Sequence, residues 1–91
     1  MANTQKAEAN NEKFEFEFNG EKYEVYTEDL SDLEVLEYFS AGNVPQGLIV
    51  LIGQEDYDRF KDTNRNARGR IPADVAGKFL EALYEAAGLG N

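Results

Sequence analysis

Asp62, Asn64 and Asn66 stand at the one-three-five spacing that opens a calcium loop, where alternate residues aim oxygen donors at one point. The rest of such a loop is missing. Ala67 stands where the turn needs glycine, Ala73 where a closing acid belongs, and Arg65, Arg68 and Arg70 would repel a cation. Glu55, Asp56 and Asp58 are also clustered, but their place at the start of a short helix is explained by the positive end of the helix dipole. The chain has no cysteine and no histidine, which removes thiolate nucleophiles, imidazole bases and the usual zinc sites. Ser31 and Ser40 are the only serines, and neither has a histidine to activate it. Gly88 and Gly90 have no strand or helix behind them and make no phosphate loop. No catalytic, cofactor-binding or metal-binding residue is therefore expected, and the residues point to a binding protein rather than an enzyme.

Charge says more than these clusters. The net charge of −9 lacks the basic surface that phosphate neutralisation requires, so nucleic acid is not an expected partner. The acids are concentrated in residues 1–57, where 13 of them face only Lys6, Lys13 and Lys22; residues 58–91 hold six bases against five acids. An electrically lopsided chain can pair head to tail with its own copies. The basic stretch Arg59, Lys61, Arg65, Arg68 and Arg70 is the candidate self-association surface, the alternative being a loop that simply faces water.

The elements that must position these residues follow from periodicity and punctuation. Residues 1–12 carry no apolar side chain beyond alanine and Met1 and are expected to be a disordered tail, leaving 13–91 as one domain. In residues 13–26 apolar and charged side chains alternate on both sides of Asn19-Gly20, the strongest short hairpin signal. A two-residue turn sets Phe16 opposite Tyr23, Phe14 opposite Val25 and Glu17 opposite Lys22, so that the aromatic side chains share one face. A lone two-stranded ribbon is marginal in water, so helices or another chain must cover that face.

Ser31 as N-cap, Glu34 three residues on and Leu30 placed to staple against Val35 predict a helix over 31–41. Leu33, Leu36 and Phe39 are its inward stripe and Gly42 its end. Pro45 suits the first turn of a second helix whose residues Leu48 to Ile52 are apolar without a break; a short buried strand is the competing assignment. Residues 54–62 read as a third helix with Tyr57 and Phe60 on one face, and 63–71 as a polar, basic loop. Pro72 opens the longest helix, with Val75, Phe79, Leu83 and Ala87 in line beside Ala76 and Leu80. One hairpin followed by three to four α-helices is the order of a small α+β domain. No apolar run reaches membrane-spanning length, and a chain without disulfides or an apolar leader near Met1 fits the cytoplasm.

The segment LIVLIGQEDYDRF, Leu48 to Phe60, resembles a stretch of the small tail assembly chaperones of long-tailed phages of actinobacteria and related hosts: a leucine-rich turn, a glycine, acidic or amide residues, an aromatic and a phenylalanine. The hairpin FEFEFNGEKYEV, the acidic helix ending in Gly42 and the closing FLEALYEAAG stand in that family's usual order, so that the resemblance spans residues 14–88. Tyr57 stands where tryptophan is frequent, and the basic link RNARGRIP is long. What the resemblance implies is a scaffolding role in the host bacterial cytoplasm. Copies of the chaperone would coat the helical tape measure protein, keep it soluble and bring tail tube subunits to it, often beside a longer form made by ribosomal frameshifting.

A chaperone without ATP chemistry works by offering apolar surface to an apolar client. The expected client surface is Ile49, Val50 and Ile52 with Tyr38 or Phe39, because a helix apolar on all sides exceeds what so small an interior can hold. The competing assignment places the same residues in the core. Two other functional classes fit parts of the sequence: an acidic DNA mimic or anti-restriction protein, and a structural tail or head-tail connector component of the virion.

Overall fold

The computed structural model describes residues 12–88; the expected tail falls outside them except for Glu12. Two antiparallel strands, β1 (Lys13–Phe18) and β2 (Glu21–Tyr26), form the hairpin. Its turn is of the mirror-image kind that matches strand twist, with φ of 50° at Asn19 and 84° at Gly20. The register is the expected one: Phe14 faces Val25, Phe16 faces Tyr23 and Glu17 faces Lys22. Phe16, Tyr23 and Val25 are buried on the inner face, with Phe14 and Phe18 half-buried beside them. On the outer face Glu15 lies opposite Glu24, a like-charge pair relieved by Lys13, whose Nζ is 3.6 Å from Glu24.

A 3-10 turn, Thr27–Ser31, drops Leu30 into the core and leads to four α-helices: α1 (Leu33–Ser40), α2 (Val44–Ile52), α3 (Gln54–Thr63) and α4 (Asp74–Ala86). The helical assignment of the apolar run is thus the right one and the strand assignment is not. The predicted cap of α1 is off by one residue. Asp32 is the N-cap, its Oδ1 accepting the Val35 N–H at 3.1 Å, while Ser31 closes the 3-10 turn and donates its hydroxyl to the Glu28 carbonyl.

The predicted inward stripe of α1 is also corrected. Val35 is fully buried and Phe39 half-buried, whereas Leu33 and Leu36 stand 69% and 48% exposed. Two apolar stripes of helical spacing share this helix, Leu33-Leu36 and Val35-Phe39, and periodicity alone cannot choose between them. Packing against α2 does. Gly47, buried in α2, lets the Phe39 ring approach so closely that an added Cβ would stand 2.5 Å from it.

Phe79 of α4 organises the core. It is completely buried, and the rings of Phe60, Tyr23, Phe16 and Phe18 surround it at centroid distances of 4.6, 5.0, 5.2 and 5.3 Å. The aromatic face of the hairpin is therefore covered by α4 and by α3, as a marginal ribbon requires. Asn64, at the end of α3, ties the two halves together: its amide donates to the Phe60 carbonyl at 2.8 Å and its oxygen accepts from Asn19 in the hairpin turn. Among the described residues no helix is long and apolar enough to cross a membrane.

Candidate functional site

An apolar groove runs between α2, α3 and α4, with a volume of about 480 Å3. Leu48 and Phe60 form its buried floor. Val44 and Pro45, in the first turn of α2, make one wall, positioned by the Asn43 side chain that caps the helix by accepting the Gln46 N–H at 3.4 Å. Tyr57 stands on the α3 side, its ring stacked on Phe60 at 6.2 Å.

The opposite wall explains why the groove is open. Ile71 and Pro72 lead into α4, which turns Ala73, Ala76 and Gly77 toward the gap, side chains too short to close it. A Cβ added at Gly77 would meet nothing within 4 Å. Neither Pro45 nor Pro72 has an N–H to offer, so the walls present hydrocarbon and few donors. Such a trench suits the apolar face of a polypeptide segment rather than a polar metabolite.

Positive charge lies at its edge. Lys61 lines the groove, its Nζ 4.8 Å above the Tyr57 ring and 3.8 Å from Asp58. The loop from Arg65 to Arg70 runs directly into the lining residue Ile71 and is ordered by Asn66, whose Oδ1 accepts the N–H groups of Arg68 and Arg70 at 2.9 and 3.0 Å. Arg65 bonds Asp62 and the Gly69 carbonyl. The guanidinium groups of Arg68 and Arg70 make no ion pair among the described residues, and both residues are exposed. Asn64 and Asn66, two of the three residues at calcium-loop spacing, are thus engaged in holding α3, the hairpin and the loop.

Arg59 does not belong to this basic surface, contrary to expectation. It clamps α3 to the hairpin: Nη1 is 2.6 Å from Glu21, Nη2 donates to the Lys22 carbonyl at 2.8 Å and to Asp56 at 3.2 Å, and the guanidinium lies 4.4 Å above the Tyr23 ring. The Tyr23 hydroxyl beneath it is buried and makes no close hydrogen bond among the described residues, and burial, only partly offset by the nearby Thr63 side chain, pushes its ionisation above the ordinary tyrosine range.

The expected client surface is divided by the structure. Ile52 is 9% exposed and belongs to the core, which removes it from any surface role; Leu48 and Leu51 lie there with it. Tyr38, Phe39 and Ile49 are half-buried, and Val50 alone of the five, at 38%, is exposed. The estimate of too little interior overlooked that a helix can bury two sides at once, against α1 on one and the hairpin on the other. Sequence reasoning missed the groove, although a glycine at 77 inside a helical pattern, flanked by Ala73 and Ala76, was a signal for a missing side chain.

A second hollow of about 330 Å3 is lined by the charged side chains of Lys13, Glu24, Asp29 and Asp56 together with Tyr26 and Val50. Burial, with Glu28 and Asp32 nearby, lifts the Asp29 carboxyl above its usual range. Among the described residues no group of three or more acidic, histidine or cysteine side chains is arranged to hold a metal ion. Comparison with protein-family models, with curated proteins and with solved structures finds no match to this chain.

Proposed function

We propose that the chain is a non-catalytic binding protein that holds an apolar segment of a longer polypeptide in the groove between α2, α3 and α4, as a phage tail assembly chaperone would hold the tape measure protein. In that role it works in the host bacterial cytoplasm, keeps its client soluble and brings tail tube subunits to it. The groove is what carries this proposal: a trench of about 480 Å3 with apolar walls and a lysine at its edge has the form of a helix-in-groove site. The client surface is thereby moved from Ile49, Val50 and Ile52 to residues that the groove itself exposes.

Anisotropy of labelled tape measure segments, with the solubility of the co-expressed protein, tests it. Gly77→Glu places a carboxylate in the trench at an exposed helical position where a new side chain meets no neighbour. Binding is expected to weaken by about tenfold or more, since the charge must be desolvated by an apolar client. A folded variant that binds and solubilises as well as the native chain would refute the assignment.

A further inference from the structure

We infer that the groove is covered, in the absence of client, by helix α1 of a second copy of this chain, in a head-to-tail contact. The inference rests on reading the groove as a polypeptide-binding site and supplies its first occupant. Two independent observations meet here. Leu33 and Leu36 are 69% and 48% exposed, one helical turn apart on the outward face of α1 among the described residues. They are embedded in acid: Asp32, Glu34 and Glu37 lie among them, and no base occurs between Lys22 and Arg59. The groove has the complementary character, apolar within and edged by Lys61, and the loop carrying the exposed Arg68 and Arg70 leads into its lining residue Ile71.

An acidic helix with a leucine pair at i and i+3 is the natural plug for an apolar trench with a cationic edge, since the leucines supply the buried contact and the charges set its direction. Residues 1–11 offer the groove only Met1, Ala2, Ala7 and Ala9 as apolar side chains and are a poor alternative. Because the contact is head to tail and not a reciprocal exchange of plugs, it is heterologous. Each copy that fills a neighbour's groove leaves its own open to the next, and the products are rings or open chains rather than a closed pair. A client with a better apolar segment would displace the plug, so that assembly and client binding exclude each other at each groove.

Sedimentation velocity of the full chain across concentration is the test. The native chain should form species larger than a dimer, and association should weaken as salt rises. L33D/L36D and Gly77→Glu should each be monomeric, with association weakened on the order of 100-fold, as expected for losing two buried leucines or desolvating a charge. Mixed at equal concentration, these two variants have one intact plug and one intact socket between them and should form a 1:1 dimer and nothing larger. Charge reversal at exposed positions guards against misfolding: R68E/R70E should weaken assembly, and mixing with E34K/E37K should restore it. A native chain still monomeric at about 1 mM, assembly unaffected by either variant, or a mixture that stays monomeric overturns the inference. L33D/L36D keeps an intact groove, so its client binding is measured separately. A monomeric native chain that binds client removes only the self-contact, whereas client binding indifferent to Gly77→Glu removes only the client assignment.

Discussion

The approach of Phe39 to Gly47 makes a prediction whose sign depends on a neighbour. In an ordinary helix Gly→Ala stabilises by about 1 kcal/mol, because alanine loses less backbone freedom. At Gly47 the new methyl would stand 2.5, 2.8 and 3.0 Å from three atoms of the Phe39 ring, distances at which something must move. Overpacking of this kind costs about 1–3 kcal/mol. The ring is half-buried and can swing outward, but it then gives up its packing on α2, so the cost is about 2 kcal/mol by the same range. Gly47→Ala alone should therefore destabilise by about 1 kcal/mol. In a Phe39→Ala background the obstacle is gone, and the same change should stabilise by up to about 1 kcal/mol, a coupling of about 2 kcal/mol. Urea denaturation of the four chains of the cycle measures it. If Gly47→Ala stabilises the native chain, or if the two substitutions add within about 0.5 kcal/mol, the helices α1 and α2 do not approach as described.

Tyr23→Phe removes a hydroxyl that is buried with no close hydrogen bond among the described residues and should leave stability at pH 7 unchanged or raise it by about 1 kcal/mol; a clear loss would mean that the hydroxyl is held by a partner such as Thr63. The same phenol titrates above its ordinary range when folded, so it favours the folded state fully below about pH 10 and loses that contribution as pH rises through the folded value. Tyr23→Phe, which cannot ionise, should accordingly resist alkaline unfolding better than the native chain, and identical alkaline limbs in circular dichroism would contradict this. Ile52→Asp buries a charge in the core and should unfold the chain or cost about 3 kcal/mol or more, whereas Val50→Asp, partly exposed in the hollow shared with Asp29 and Asp56, should cost about 1 kcal/mol; equal effects on thermal melting would show that the two sides of α2 are assigned wrongly.

The hairpin was legible to the last pair because two independent constraints agree there. Asn19-Gly20 dictates a two-residue turn, and only that turn places Phe14, Phe16, Tyr23 and Val25 on one face. The long helix α4 was legible for a related reason: Val75, Phe79 and Leu83 recur over more than two turns, and Pro72 marks where they begin. Helix α1 was not. Eight residues with two candidate apolar stripes leave its rotation open, and what decides it is Gly47, a residue of another helix whose only contribution is the absence of a side chain. The basic stretch was misjudged at Arg59 because charge patterning counts residues without knowing their partners; Glu21 and Lys22 lie 38 and 37 positions away in sequence.

The same choice of stripe connects fold to function. A domain of this size has one interior, and here it is filled by Phe79 of α4 and the four aromatic rings gathered around it, contributed by the hairpin and α3. Once those rings occupy the centre, α1 reaches the core only through Val35 and Phe39, and its two leucines are turned to water. Leucines scattered singly on a surface need no explanation; a pair at helical spacing on an acidic face, in a molecule whose opposite charge borders an unfilled apolar trench, does. Aspartate at both positions would remove exposed hydrocarbon without touching the core and should raise solubility at a cost of about 1 kcal/mol, from the half-covered Leu36 and the poorer helix propensity of aspartate. A chain that keeps its fold through that change leaves the two leucines free for the contact with a second copy proposed above.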